Sequence, residues 1–195
     1  MILWTIQPFS WWTSLKENGR ITVDLATIES DPIAFYEDEF KRAYDWLVEE
    51  MKQRLPVPRP YPSAYPIWAW YQWHGVKRKA PDLRTMRHRE DVYHDVRIKF
   101  EIDDKLVLLS DFESWHYILN DFIIRPEEEN FDTEDEVLPF TEEEKVKSWN
   151  HIFDLDFSCP LEEAIIQATF WELKLEPLTL TRTDPPMLGK TDPSV

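Results

Sequence analysis

The chain is poor in glycine, cysteine and basic residues, and it has no long apolar run. Its three glycines, at 19, 75 and 189, cannot spell a Gly-x-Gly-x-x-Gly turn or a Walker-type loop, which excludes the standard nucleotide-binding folds. One cysteine, Cys159, rules out an intramolecular disulfide and any Cys-x-x-Cys redox or zinc unit. The five histidines, His74, His88, His94, His116 and His151, show no ligand spacing such as His-x-x-x-His, so no metal site is expected. No stretch of about 18 apolar residues occurs. The opening "MILWTIQPFSWW" lacks the basic flank of a secretory leader. A reducing, cytoplasmic setting with no membrane partner is therefore expected.

What is present points to one folded domain. The 195 residues are 43% hydrophobic and 14% aromatic, with ten tryptophans, enough for a core that covers most of the unfolded chain's surface. Lys+Arg 22 against Asp+Glu 38 leaves a formal charge of −16. That charge repels phosphate backbones, so no direct nucleic-acid partner is expected. The charge is also unevenly spread. Glu127 to Glu144 holds ten acids and no base, whereas Lys77 to Lys99 holds eight bases and four acids.

Patterning places the elements. Ile2 to Gln7 reads as a strand, Ser10 as the cap of a helix that Gly19 closes, and Arg20 to Leu25 as a second strand. Asp31 and Pro32 open a helix whose apolar stripe runs through Phe35, Phe40, Ala43, Leu47, Met51 and Leu55. Five prolines between Pro56 and Pro66 then stiffen a surface connection. Ile67 to Trp73 reads as a central strand with Trp68, Trp70 and Gln72 on one face and Ile67, Ala69, Tyr71 and Trp73 on the other. "VRIKFEI", residues 96–102, alternates as a half-buried strand. Ser110 with Glu113, and Thr141 with Glu144, have capping-box spacing ahead of helices reaching about Phe122 and Phe153. The acidic stretch between them reads as a loop. Ala164 to Glu176 reads as a strand with apolar residues on both faces, and the proline- and threonine-rich residues 177–195 as an irregular tail. The fold class is α+β: a single domain over 1–176, with a mixed or largely antiparallel sheet and three to four packed helices.

Several residues are candidates for chemistry. The basic segment "KRKAPDLRTMRHRE" adjoins Tyr71 and Trp73, and Arg84 there could hold a phosphate beside an aromatic ring. It could equally be a solvated loop that balances the acidic stretch. Gln7, Gln72 and Gln167 lie in or at the ends of apolar strands, where amides are hydrogen-bonded or turned toward ligands. His116 falls among the apolar positions of its helix, either satisfied in the core or titrating at a site. Cys159 reads as a small packing residue.

"LWTIQ", "YPIWAWYQW", "PDLR", "LLSDFESWHYILN", "SWNHIFDL" and "IQATFWELKLE", in this order, resemble the bacterial family known as domain of unknown function 3841 over almost the whole chain before the tail. That resemblance implies no catalytic residue. A more distant likeness is to ADP-ribosyltransferase-like domains. It implies that Trp4 or Gln7 and Glu172 take the places of the first strand's ligand contact and the last strand's catalytic glutamate, with Arg84 or His116 contacting the dinucleotide. Residues 170–172 read Phe-Trp-Glu, without the paired Gln/Glu-x-Glu of those domains.

Two functional expectations result. In the first, aromatic strand and basic loop border a pocket for a small anionic, nucleotide-like ligand. Trp4, Gln7, Tyr71, Trp73 and Arg84 would bind it, and Glu172 and His116 would be catalytic if the chain is an enzyme. In the second, the chain is a non-enzymatic acidic interaction protein that binds a basic protein partner or imitates nucleic acid. The residues name no cofactor.

Overall fold

A computed structural model describes residues 1–26, 38–82, 95–125, 139–175 and 181–183. The element order is β1 (Ile2–Pro8), α1 (Phe9–Asn18), β2 (Arg20–Ile21), β3 (Val23–Asp24), α2 (Asp38–Arg54), β4 (Ala64–Tyr65), β5 (Ile67–Gln72) and β6 (Asp95–Glu101). There follow β7 (Leu108–Asp111), α3 (Phe112–Leu119), α4 (Glu142–Ser148), β8 (Ile166–Phe170), β9 (Leu173–Lys174) and β10 (Thr181–Thr183), with single turns of 3₁₀ helix at Asp104–Leu106 and Trp149–Phe153. The main sheet has six strands in the order β10-β6-β1-β5-β8-β7, and it is largely antiparallel. This is the α+β architecture that the patterning predicts, with four helices among the described residues.

The two faces of the sheet bury separate apolar clusters. Leu3, Ile67, Ala69, Ile98, Phe100 and Phe170 face α1, whose Leu15 is fully buried against them. On the other face, α2, α3 and the Trp149–Phe153 turn supply Leu47, Met51, Trp115, Ile118, Trp149 and Ile152. β8 lies between β5 and β7 with all five residues buried, as a central strand apolar on both faces should be. The second face is only half roofed: over β1 and β6 the outward residues Trp4, Ile6 and Arg97 are half-buried and Lys99 is exposed.

Several local expectations are corrected. α1 begins on Pro8 without a side-chain cap, so Ser10 is inside the helix, while Gly19 closes it at φ 69° as expected. The single strand read over 20–25 is two short pairings, β2 with β9 and β3 with β4. Asp111, not Ser110, caps α3, its carboxylate accepting the Ser114 N–H at 2.7 Å. Ser110 belongs to β7, a strand hidden in the sequence because only four residues pair. The capping box of Thr141 and Glu144 is present, and its two hydrogen bonds hold the Glu144 carboxyl below the usual range. A bulge between Trp70 and Gln72 sets Gln72 opposite buried Ile166, moving it to the α1 face, away from Trp68 and Trp70. Asp31 and Pro32, the expected opening of α2, lie outside the described residues. So does most of the 127–144 acidic stretch. Beyond residue 176, Thr181–Thr183 forms the edge strand β10 on β6.

Gly19 and Gly75 both have positive φ, 69° and 65°. A side chain at Gly19 would meet nothing within 4 Å, whereas a Cβ at Gly75 would lie 2.3 Å from the Glu162 carbonyl oxygen. Gly19→Ala should therefore cost about 1 kcal/mol of unfolding free energy and Gly75→Ala at least about 2 kcal/mol, measured by denaturant titration. Equal losses would show that the approach of the 73–79 hairpin to Glu162 is looser than described. Burial pushes the Tyr44 hydroxyl from 10.0 up to about 12. Its neutral form is favoured by folding, so this stabilisation is complete below pH 10 and disappears as pH rises toward about 12. Melting temperatures over that range should fall less steeply for Tyr44→Phe than for the native chain.

Candidate functional site

The sheet register decides which candidate residues meet. Trp4 lies opposite Trp70 on β5 and opposite Lys99 on β6, and residues directly opposite share a face. Trp70 in turn lies opposite Gln167, and Gln167 opposite Ser110. One row of side chains thus crosses the second face from Lys99 through Trp4 and Trp70 to the start of α3.

Around Trp70 the rings form a string. Trp73 stands edge-on to it at 4.4 Å between centroids and Phe112 at 5.1 Å. His74 follows Trp73 at 5.6 Å, and His116 follows Phe112 at 4.5 Å. Edge-to-face contacts of this kind fix ring orientation as well as burying area. Trp4, Trp70, Trp73 and Phe112 are half-buried, and His74, His116 and Lys99 are exposed. The string is therefore an accessible strip along the boundary of the roofed half of the sheet.

This placement corrects the reading of His116. Trp115 and Ile118 take the inward positions of α3 and His116 turns to solvent, its Nδ1 2.9 Å from the Phe112 carbonyl oxygen. The sequence reading missed the roles of Trp70, Phe112 and Lys99. Lys99 was legible as an outward residue of its strand, but the register that sets it beside Trp4 joins segments some 95 positions apart.

Other candidates lie elsewhere. Tyr71 is half-buried against the α1-face cluster, with the Lys79 ammonium 4.9 Å from its ring. Gln7, at the far end of β1 from Met1, faces Val96 and donates to the Thr5 hydroxyl at 2.9 Å. Arg84 lies outside the described residues. Glu172 follows β8, its carboxylate 3.1 Å from the Lys174 ammonium and 3.5 Å from the Arg20 guanidinium. It lines a cavity of about 770 Å³ together with Met1, Pro58, Asp103 and Phe170. Gln7 is not on that lining. Since six residues of β strand span roughly 20 Å, Gln7 and Glu172 do not enclose a common hollow.

The remaining polar groups are mainly structural. Gln72 donates to the carbonyls of Leu161 at 2.8 Å and Ala164 at 2.7 Å, which anchors the segment before β8. Gln167 Oε1 and Ser110 Oγ, facing each other across β8 and β7, are buried without a partner among the described residues. Burial pushes the Cys159 thiol up, and the nearby carboxylates of Asp111, Glu163 and Glu113 push it further. A thiol so placed is a poor nucleophile. Among the described residues no group of three or more His, Cys, Asp or Glu is placed to hold a metal ion, and no helix is long and apolar enough to cross a membrane.

No curated protein and no solved structure matches the chain. The model of one family, "Domain of unknown function (DUF3841)", matches residues 2–179. Its span takes in every strand of the main sheet except β10, the aromatic strip and Glu172, and the chain belongs to the DUF3841 family.

Proposed function

We propose that this domain is a binding module whose aromatic strip takes a small anionic, nucleotide-like ligand in a cytoplasmic setting. The observation that supports it is the row Lys99–Trp4–Trp70, continued by the edge-on rings of Trp73 and Phe112. A planar base has aromatic surface to stack on, and Lys99 supplies an exposed ammonium one strand away for phosphate. The formal charge of −16 disfavours long polyanions and leaves small anions as the matching class.

Of the two candidate catalytic residues, only His116 lies on the strip. Glu172 is five positions beyond Gln167, roughly 15 Å of extended chain from the Trp70 row, and its carboxylate is engaged by two cations. The reading is therefore one of binding, with no ADP-ribosyl transfer assigned to Glu172.

ADP and adenosine are suitable probes, followed by tryptophan fluorescence and calorimetry. ADP should bind saturably, and Trp4→Ala should weaken it by about 1–3 kcal/mol, roughly five- to 150-fold. Lys99→Glu should weaken ADP and leave adenosine unchanged, and Glu172→Gln should leave both unchanged. Absence of saturable ADP binding, or an unaltered affinity in Trp4→Ala, rejects the assignment.

A further inference from the structure

The cavity beside Glu172 is separate from the aromatic strip, and its lining has a different chemistry. Its volume of about 770 Å³ falls within the roughly 300–1,000 Å³ range of small-ligand sites. Pro58, Pro60, Leu106, Phe170 and Leu173 supply apolar wall. Four carboxylates, Glu101, Asp103, Asp104 and Glu172, stand around it against three ammonium groups, those of Met1, Lys105 and Lys174.

Partners already present reduce that set. Glu172 is matched by Lys174 and Arg20, and Asp104 by the Met1 amino group at 2.5 Å. Asp103 uses one oxygen to accept the Lys105 N–H at 3.0 Å and keeps the other. Glu101 is exposed at the end of β6 and makes no ion pair among the described residues. An anion entering here would meet the carboxylates of Glu101 and Asp103, since Glu172 and Asp104 are already matched by cations. Among the described residues a cation would find Glu101 and the second oxygen of Asp103 unengaged, with Lys105 the one opposing charge of the lining that no carboxylate holds. Hydrocarbon attached to that cation would cover the proline and phenylalanine wall.

We propose that this cavity binds an alkylammonium or guanidinium group carried on an apolar stem. Two sources share that chemistry, a free amine and a lysine or arginine side chain of a basic protein segment. The site is independent of the nucleotide proposal, because neither its residues nor its charge belong to the strip.

Calorimetry with the full chain separates the sources, using agmatine as the free guanidinium and an acetylated Leu-Arg-Leu-Arg amide as the segment. At least one should bind saturably and weaken as NaCl rises from about 50 to about 500 mM. Binding of agmatine assigns a free amine, and binding of the peptide alone assigns a protein partner. Glu101→Lys should weaken the binding probe roughly tenfold or more while ADP titration is unchanged. Leu106→Trp, which fills the cavity, should do the same. Asp103→Asn keeps an acceptor for the Lys105 N–H, removes one charge, and serves if Glu101→Lys fails to fold. The proposal is overturned if neither probe saturates, if the properly folded variants bind as the native chain does, or if a Leu-Glu-Leu-Glu amide binds equally well.

Discussion

The rest of the molecule depends on the two-sided burial of β8. Ala168 and Phe170 join the cluster under α1, with Ile166 buried on the same face, while Gln167, Thr169 and the following Trp171 point toward the helices opposite. A strand buried on both faces cannot slip by one residue without exchanging its two side-chain sets. Its register with β5 and β7 consequently fixes the part of the row that runs from Trp70 through Gln167 to Ser110, which β1 and β6 continue through Trp4 to Lys99. The aromatic strip is one edge of that row, and the Glu172 cavity lies where β8 leaves the sheet.

The many tryptophans divide by position along the sheet. Trp115, Trp149 and Trp171 are covered by the helical layer and act as core. Trp68 packs at 5.1 Å on Trp115 and at 6.0 Å on Tyr44 inside the same layer. Trp4, Trp70 and Trp73 lie where the layer stops, so they keep accessible surface although the same strands carry them. A half-roofed sheet is thus enough to turn one residue type into core at one end of a row and platform at the other. Charge separates in parallel: Lys99 adjoins the platform, and Glu101, two residues further along the strand, faces the cavity.

How much could be read from the residues alone follows from the range of the forces involved. The period-two alternation of 96–102, the Gly19 closure and the capping box at Thr141 depend on neighbours within a few positions, and all are present. Ser110 failed as a cap because its neighbour Asp111 has the shorter reach to Ser114, a difference of one residue that spacing rules do not resolve. His116 is not a core residue because Trp115 and Ile118 occupy the inward face of an eight-residue helix. The pairing of Gln7 with Glu172 failed for a longer-range reason. Both sit at strand ends, but which ends adjoin is set by the order of strands in the sheet, and that order is global. The cavity was illegible for the same reason, since its lining gathers residues from 1, 57–60, 101–106 and 170–174.

Asp121 illustrates how narrow a position can become when two demands coincide. It has φ 59°, the one described non-glycine residue with a positive value, and its carboxylate joins Arg42 of α2 to Lys145 of α4, the latter only 5% exposed. Glycine and asparagine satisfy the backbone but bring no charge, and glutamate brings the charge but resists the left-handed turn. Aspartate alone meets both conditions. The corner that holds three helices together therefore has a vocabulary of a single residue, and drift in the helices it joins is constrained to sequences that keep a cation on each side of it.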